Sequence, residues 1–249
     1  MCYNNVMDLK KQSALITGAG SGLGLACAHA LCLRGYQVML LDKDLTMAKS
    51  TLSAYPVIAH QVDFLDTDAV LACLQDLPEQ LQVGIFCTGI AQAGLLFHPD
   101  HALDAQKLDE ALRVNFTTHV LIMQKLVSHM ISQKQTGVMI HTSSIASVEG
   151  QAGQIAYSAS KSAICGMILP AARELARFGI RVNAIAPGVM QTPMVEKMPK
   201  KVQSSLKAQI PYPDRFGKAQ EFADLALHII DNTYLNGTVI RLDAALRMA

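Results

Sequence analysis

The sequence lacks the features that mark nucleic-acid-binding, secreted and membrane-spanning proteins. Only 16% of its 249 residues are charged and the formal net charge is +1. With no basic cluster, this balance argues against a nucleic-acid partner. No apolar run approaches the ~18 residues that would cross a bilayer. The first dozen residues show neither a signal-peptide core nor an Arg-rich amphipathic pattern. We therefore expect a cytoplasmic protein with no membrane partner.

Paired cysteine motifs are also absent. The six cysteines include no Cys-x-x-Cys pair and no alternating Cys/His spacing, and they stand at positions 2, 27, 32, 73, 87 and 165. Several fall within apolar helix or strand patterns, which indicates reduced thiols in a core. Without a ligand cluster we expect no metal, and a zinc-dependent dehydrogenase is disfavoured.

Short apolar runs alternate with helical patterns along the whole chain. Seven candidate strands cover residues 14–17, 37–42, 57–62, 83–87, 138–142, 181–186 and 238–242, and helices are predicted near 23–34, 44–53, 67–77, 104–132, 156–178 and 219–231. Continuous apolar strands separated by helices are typical of a parallel sheet covered on both faces. With 51% hydrophobic residues, the chain predicts a single α/β domain over residues 1–249, doubly wound around a seven-stranded parallel sheet.

A glycine-rich turn follows the first strand and opens the first helix. The turn runs from Thr17 to Gly24, and its candidate nucleotide contacts are Gly18, Ser21, Gly22, Leu23 and Gly24. Glycines allow a tight turn and a close approach of the backbone to a pyrophosphate, and the helix N-terminus supplies free N–H groups. Strand, turn and helix in this order predict a dinucleotide site.

Asp42 ends the second strand, eighteen residues after Gly24. A carboxylate at this spacing is placed to accept hydrogen bonds from an adenosine ribose. On its own, Asp42 would be read as a turn former at a strand end. With the glycine turn present, the pair predicts NAD as the cofactor, because a carboxylate repels the extra phosphate of NADP.

A tyrosine and a lysine four residues apart form the candidate catalytic pair. Tyr157 and Lys161 would share one face of a helix, and Ser144 precedes the tyrosine by thirteen residues. An ammonium ion near a phenol lowers the pKa of the phenol, which is then able to exchange a proton with an alcohol or ketone. Alone, this spacing is more often an ordinary amphipathic pair on a surface.

The ordered set of motifs resembles the short-chain dehydrogenase/reductase family over essentially the whole chain. The matching elements are Thr17-Gly-x-x-x-Gly22-x-Gly24, Asp42, Asp63, Cys87-x-Gly89, Asn115, Ser144, Tyr157-x-x-x-Lys161 and Pro187-Gly188. The resemblance implies a Rossmann fold. Three longer stretches, residues 149–161, 166–173 and 235–243, resemble a subgroup that acts on 3-hydroxyacyl-CoA thioesters and hydroxysteroids.

The resemblance also assigns roles to residues. It implies a catalytic set of Asn115, Ser144, Tyr157 and Lys161, with Gln151 and Gln154 as further substrate contacts. Additional cofactor contacts would be Asp63, Phe64, Cys87, Gly89, Pro187, Gly188 and Thr192, and residues 189–213 would form a substrate lid. For Asp63, capping of the next helix is an equal alternative to an adenine contact. Relatives are usually homotetramers, so we expect one here.

Two departures from the family pattern carry expectations of their own. Phe86 stands where most relatives have an asparagine, so we expect a hydrogen bond between strands to be lost at some cost in stability. The C-terminal sequence Asp243-Ala-Ala replaces the common Asp-Gly-Gly, so we expect different contacts from the tail. The predicted function is NAD-dependent oxidation of a short or branched 3-hydroxyacyl-CoA. The alternatives are an acetoacyl-thioester reductase, a hydroxysteroid dehydrogenase, and a non-enzymatic dinucleotide sensor.

Overall fold

A computed structural model describes residues 12–99 and 102–248 and shows a seven-stranded, all-parallel sheet in the order β3-β2-β1-β4-β5-β6-β9. This confirms the predicted fold class. Two short strands, β7 and β8, pair separately. The strand bounds are β1 Ser13–Thr17, β2 Gln37–Asp42, β3 Val57–Gln61, β4 Leu81–Phe86, β5 Gly137–Thr142, β6 Ile180–Pro187, β7 Met190–Gln191, β8 Gly217–Lys218 and β9 Val239–Leu242.

Helices cover both faces of the sheet, and each face has its own apolar core. The core under α1 and α10 is centred on residues such as Ile16 and Phe222, and the core under α5 and α7 on residues such as Leu126 and Ile168. The helix bounds are α1 Gly22–Leu33, α2 Thr46–Thr51, α3 Thr67–Cys73, α4 Ala105–Leu112, α5 Thr118–Ser132, α6 Ala146–Glu149, α7 Ile155–Leu175, α8 Pro193–Glu196, α9 Lys200–Ala208 and α10 Ala219–Asp231.

The long helix expected over residues 104–132 is interrupted. A π-helical segment, Arg113–Thr117, separates α4 from α5. Such segments often mark functional sites, because they turn a side chain away from the regular helical face. Here the interruption contains Asn115, which the sequence singles out. Helix α7 continues through Pro170.

Phe86 replaces a polar contact between strands with a stack of aromatic rings. Its ring lies parallel to that of His141 on the neighbouring strand, with 4.1 Å between ring centroids and 11° between planes. The ring of His119 from α5 lies 5.5 Å away on a tilted plane. All three side chains are fully buried. The expected loss of a hydrogen bond is therefore accompanied by packing that the sequence pattern did not predict.

The five cysteines within the described residues are free thiols, and Cys2 lies outside them. Residues 12–99 and 102–248 contain no group of three or more His, Cys, Asp or Glu side chains arranged to hold a metal ion. In the same two ranges, no helix is long and apolar enough to span a bilayer.

Candidate active site

The glycine turn after β1 is packed so closely that side chains would not fit. Gly18 has a φ of +65°, and a Cβ at this position would lie 2.6 Å from the backbone of Cys87. A Cβ on Gly24 would collide with the carbonyl oxygen of Gly18. The Gly18 amide donates to the carbonyl of Leu41 at 2.9 Å, which ties the turn to the end of β2. Glycine is thus required here by close approach as well as by backbone conformation.

Asp42 is joined directly to the glycine turn. Its Oδ2 accepts a hydrogen bond from the Gly20 amide at 2.8 Å, and its Oδ1 accepts one from the Asp44 amide at 3.1 Å. The turn-forming interpretation is confirmed, and the contact of Asp42 with a ribose stays a prediction. Each carboxylate oxygen has a second lone pair able to accept a ribose hydroxyl. The turn and the carboxylate together fit the adenosine half of a dinucleotide.

Asp63 does not cap the next helix. Its Oδ1 accepts from the Leu65 amide at 2.9 Å, whereas the N-cap of α3 is Asp66, whose side chain accepts from the Ala69 amide. The capping alternative for Asp63 was therefore wrong, and its contact with adenine stays a prediction. The side chain of Phe64 is buried in the core, so only its backbone is available to a cofactor.

Ser144 and Tyr157 meet at the carboxyl end of β5. Ser144 lies in the loop after this strand and Tyr157 lies in the first turn of α7. The two hydroxyl groups are within hydrogen-bonding reach, and this contact lowers the pKa of the phenol. Burial has the larger effect and raises the pKa of Tyr157 above its usual value. Ser144 Oγ also accepts from the Ala146 amide at 3.1 Å, which orients the hydroxyl.

Lys161 is buried one helical turn beyond Tyr157. Its Nζ donates to the carbonyl of Thr142 at 2.8 Å and lies 5.9 Å from the centroid of the Tyr157 ring. Burial lowers the pKa of this lysine to about 8. In this structure, burial and the Ser144 contact are the causes of the Tyr157 shift, so a lowering of the phenol pKa by Lys161 stays a prediction.

Asn115 is held by three hydrogen bonds inside the π-helical segment. Its Oδ1 accepts from the Ile90 amide at 2.7 Å, and its Nδ2 donates to the Ile90 carbonyl at 2.9 Å and to Ser160 Oγ at 2.8 Å. Ser160 Oγ in turn donates to the carbonyl of Tyr157. Asn115 thereby fixes the loop after β4 against the helix that carries the tyrosine. The sequence pattern did not single out Ser160 as a link between Asn115 and α7. Its position on α7, three residues after Tyr157, is the signal that could have identified it.

The loop after β4 runs beside the lysine. A Cβ on Gly89 would lie 3.2 Å from Lys161 Nζ, so glycine keeps the space in front of the ammonium group open. Cys87 follows β4 directly, and its Sγ accepts a hydrogen bond from Thr142 Oγ1 at 3.4 Å. Both residues border the place where the resemblance locates the cofactor.

The predicted lid contains α8 and α9, and its first part reaches the glycine turn. The side chain of Thr192 lies 3.2 Å from where a Gly22 Cβ would be. Pro187 ends β6, and the Gly188 amide donates to the Leu242 carbonyl at 2.9 Å.

The predicted substrate contacts Gln151 and Gln154 lie just before α7. Gln154 Oε1 accepts from the Gln151 amide at 2.9 Å, so this carbonyl is engaged within the loop. Their contact with a substrate stays a prediction.

The site thus lies beyond the carboxyl ends of β1, β2, β4, β5 and β6, where ligands bind in sheets of this kind.

Comparison with known proteins identifies the type of site. The sequence model described as short chain dehydrogenase matches residues 12–203. The 3-hydroxyacyl-CoA dehydrogenase type-2 proteins of Bos taurus and Homo sapiens are each 40% identical to this chain, with 97% of both sequences covered in each case. A crystal structure of 3-hydroxyacyl-CoA dehydrogenase type-2 from Mycobacterium avium superposes with a TM-score of 0.88 at 29% identity, over 98% of this chain and 99% of that one. This chain belongs to the short-chain dehydrogenase/reductase family and is an oxidoreductase that uses a nicotinamide dinucleotide.

Proposed function

We propose that this enzyme oxidises the secondary alcohol of a short or branched 3-hydroxyacyl-CoA to the ketone, with NAD as the oxidant. The observation that carries this proposal is the convergence of Ser144, Tyr157 and Lys161. The loop after β4 connects them to the glycine turn, because Cys87 packs against Gly18 and Gly89 lies beside Lys161. The similarity to 3-hydroxyacyl-CoA dehydrogenases over nearly the full length supports the substrate class. The bound nicotinamide would supply the hydride acceptor.

The residues of the chain have separate tasks in this reaction. Ser144 donates a hydrogen bond to the substrate oxygen and holds it next to the Tyr157 hydroxyl. The phenolate of Tyr157 removes the alcohol proton. Lys161 Nζ, which Thr142 orients, stabilises that phenolate and binds the nicotinamide ribose. Because burial raises the pKa of the phenol, the positive charge of Lys161 is needed for the tyrosine to act as a base near neutral pH.

Asp42 predicts a preference for NAD over NADP. An additional phosphate on the adenosine ribose would meet a carboxylate whose two oxygens are already oriented by the Gly20 and Asp44 amides. We expect kcat/KM to be at least about tenfold higher with NAD, equivalent to ~1.4 kcal/mol. Steady-state kinetics with each cofactor measures this ratio. Equal or higher efficiency with NADP would contradict the role of Asp42 and would favour the acetoacyl-thioester reductase.

The lid supports an acyl-CoA more strongly than a simple alcohol. Met194 and Met198 provide flexible apolar surface for an acyl chain. Lys200 and Lys201 are exposed at the start of α9 and are available to CoA phosphates, whereas Lys207 lies 3.6 Å from Asp214. A panel of hydroxyacyl-CoAs, hydroxysteroids and sugar alcohols tests the substrate class. The highest kcat/KM is expected for a short 3-hydroxyacyl-CoA, and a preference for a steroid would establish the alternative.

We also propose a cytoplasmic homotetramer. The outer face of α7 supports the assembly, because Ala159 and Gly166 are exposed there and small residues let helices approach closely. Sedimentation equilibrium measures the assembly, and a monomeric mass would contradict it.

A further inference from the structure

We propose that the C-terminal segment Asp243–Met248, which we name the tail strap, positions both the Ser144 loop and the substrate lid. Leu246, within the strap, and Glu149, at the end of α6, hold the strap in place. We describe both as positioning residues, because they act through their neighbours and not on the substrate. The catalytic part of this inference rests on the proposed function, whereas the structural part does not.

The first anchor is an ion-pair cluster around Glu149, which lies five residues after Ser144. Glu149 Oε1 is 2.9 Å from Arg241 and 3.5 Å from Arg247, and Oε2 accepts from the Met248 amide at 3.3 Å. Asp243 completes the cluster, because its Oδ2 forms ion pairs with both arginines. The distance from this oxygen to Arg247 Nη1 is 3.2 Å. The Glu149 and Asp243 side chains are only 19% and 10% exposed, whereas Arg241 is 32% and Arg247 is 61% exposed. Solvent therefore screens the pairs with Arg241 less than the pairs with Arg247.

The second anchor is the side chain of Leu246, which is fully buried. It packs in a small apolar cluster with Ile145, the neighbour of Ser144, and with Ile210 at the end of the lid. Phe216, just beyond the lid, is partly buried against the same cluster. One apolar cluster therefore joins the tail to the Ser144 loop and to the predicted lid.

The strap also begins against the nicotinamide side of the predicted site. A Cβ on Gly188 would lie 2.9 Å from Cα of Asp243, and the Ile145 amide donates to the Pro187 carbonyl at 3.1 Å. The Ser144 loop, the end of β6 and the strap thus form one connected unit.

The backbone of the strap is held in an unfavourable conformation. Ala244 and Ala245 have φ angles of +52° and +60°, in the left-handed region that favours glycine. Such residues persist only where surrounding contacts determine the conformation. Here the Asp243 side chain accepts from the Ala245 amide at 3.1 Å, and the Asp243 carbonyl accepts from the Leu246 amide at 2.9 Å. This sequence, Asp243-Ala-Ala, is the departure from the family pattern noted above.

Loosening the strap should therefore affect substrate handling and leave the adenosine half of the site unchanged. The glycine turn and Asp42 are held by hydrogen bonds to Leu41 and Asp44 and by the packing of Gly18 on Cys87, and none of these contacts involves the tail. The lid borders the turn at Thr192, near its start, whereas Leu246 packs with Ile210 near its end. Displacing a catalytic group by about 1 Å is enough to lower a rate ~100-fold.

The test compares Leu246→Ala with Leu31→Ala, a matched truncation of a fully buried leucine in α1. In hydrogen–deuterium exchange, Leu246→Ala should speed exchange in peptides covering both 143–150 and 206–217, and Leu31→Ala should speed neither. In kinetics below the unfolding transition, Leu246→Ala should lower kcat/KM for the acyl-CoA about tenfold or more with an unchanged KM for NAD. Leu246→Met, which nearly conserves volume, should restore most of the activity.

Glu149→Gln tests the other anchor, because it removes the charge and keeps the shape. It should speed exchange in the same two segments. Because the pairs of Glu149 with Arg241 and Arg247 are gone, added salt should change this exchange less than in the unmodified protein. Unchanged exchange in 143–150 and 206–217 in both Leu246→Ala and Glu149→Gln would overturn the proposal that the tail strap positions these segments. Equally fast exchange there in Leu31→Ala would also overturn it. The exchange measurement remains decisive even if the native enzyme fails to oxidise a hydroxyacyl-CoA, so failure of the proposed function is distinguished from failure of the strap.

Discussion

Replacement of Tyr157 by phenylalanine is expected to lower kcat by about 1,000-fold or more, since general acid–base catalysis contributes ~10²–10⁴ and the proposed mechanism assigns the proton transfer to this phenol. The phenylalanine keeps the ring that packs in the first turn of α7 and removes only the hydroxyl that meets Ser144. Steady-state kinetics measures the loss, and calorimetric titration with the dinucleotide should show nearly unchanged affinity.

Lys161→Ala provides the contrast, because one side chain serves two tasks. We expect this variant to lose rate and cofactor affinity together, since Lys161 Nζ both faces the tyrosine and borders the open space at Gly89. Substantial activity in a folded Tyr157→Phe protein would show that another group transfers the proton.

The stability of the fold is expected to fall steeply between pH 6.5 and pH 5. Burial lowers the pKa of His119 from 6.5 to about 3, and burial lowers the pKa of His141 well below 6.5. The folded protein therefore keeps both rings neutral while the unfolded chain binds protons. The stabilising contribution is fully present above pH 6.5 and is lost as the pH falls below that value. At pH 5 the loss is about 2 kcal/mol for His119, and His141 adds to the loss in the same direction.

The range from pH 5 to pH 6.5 separates the effect of the two histidines from the effects of Lys161 and Glu221, whose pKa values are also shifted. Lys161, with a pKa lowered from 10.5 to about 8, changes the stability only in the alkaline range. Glu221, with a pKa lowered from 4.5 to about 2, acts in more acidic solution. Urea unfolding at pH 7.5 and pH 5 measures the difference.

Two substitutions test whether the buried histidines cause the loss of stability at low pH. His141→Leu should reduce the pH dependence, because leucine has a similar volume and no titrating group. His228→Gln, at an exposed position on α10, is the control and should leave the dependence unchanged. A pH dependence that survives in His141→Leu would contradict the assignment to this buried ring.

The sheet was predictable from sequence because its strands are buried on both faces. A strand such as Val38–Leu41 reads as an unbroken apolar run, and its length separates it from a helix. The local pattern gave no signal for the break at Arg113–Thr117, because its residues suit a regular helix and the interruption depends on the contacts of Asn115 with Ile90 and Ser160. Tertiary contacts decide the local structure there.

The candidate site shows the same division. Local spacing placed Tyr157 and Lys161 on one face, and the glycine turn was evident from its residues. Features that join distant parts of the chain had no local signal: Phe86 stacks on His141, and Arg241 pairs with Glu149, 92 residues away. The pKa of Tyr157 also escaped prediction, since burial of the phenol follows from the assembled fold.

A single-turnover experiment tests the central claim most directly. The purified protein, in excess over NAD, is mixed with a short 3-hydroxyacyl-CoA, and NADH and 3-ketoacyl-CoA are quantified together. The proposed chemistry predicts one NADH and one 3-ketoacyl-CoA for each NAD consumed, with Tyr157→Phe forming neither while still binding NAD. Tight NAD binding by the unmodified protein without formation of either product would contradict it and would identify a dinucleotide sensor instead.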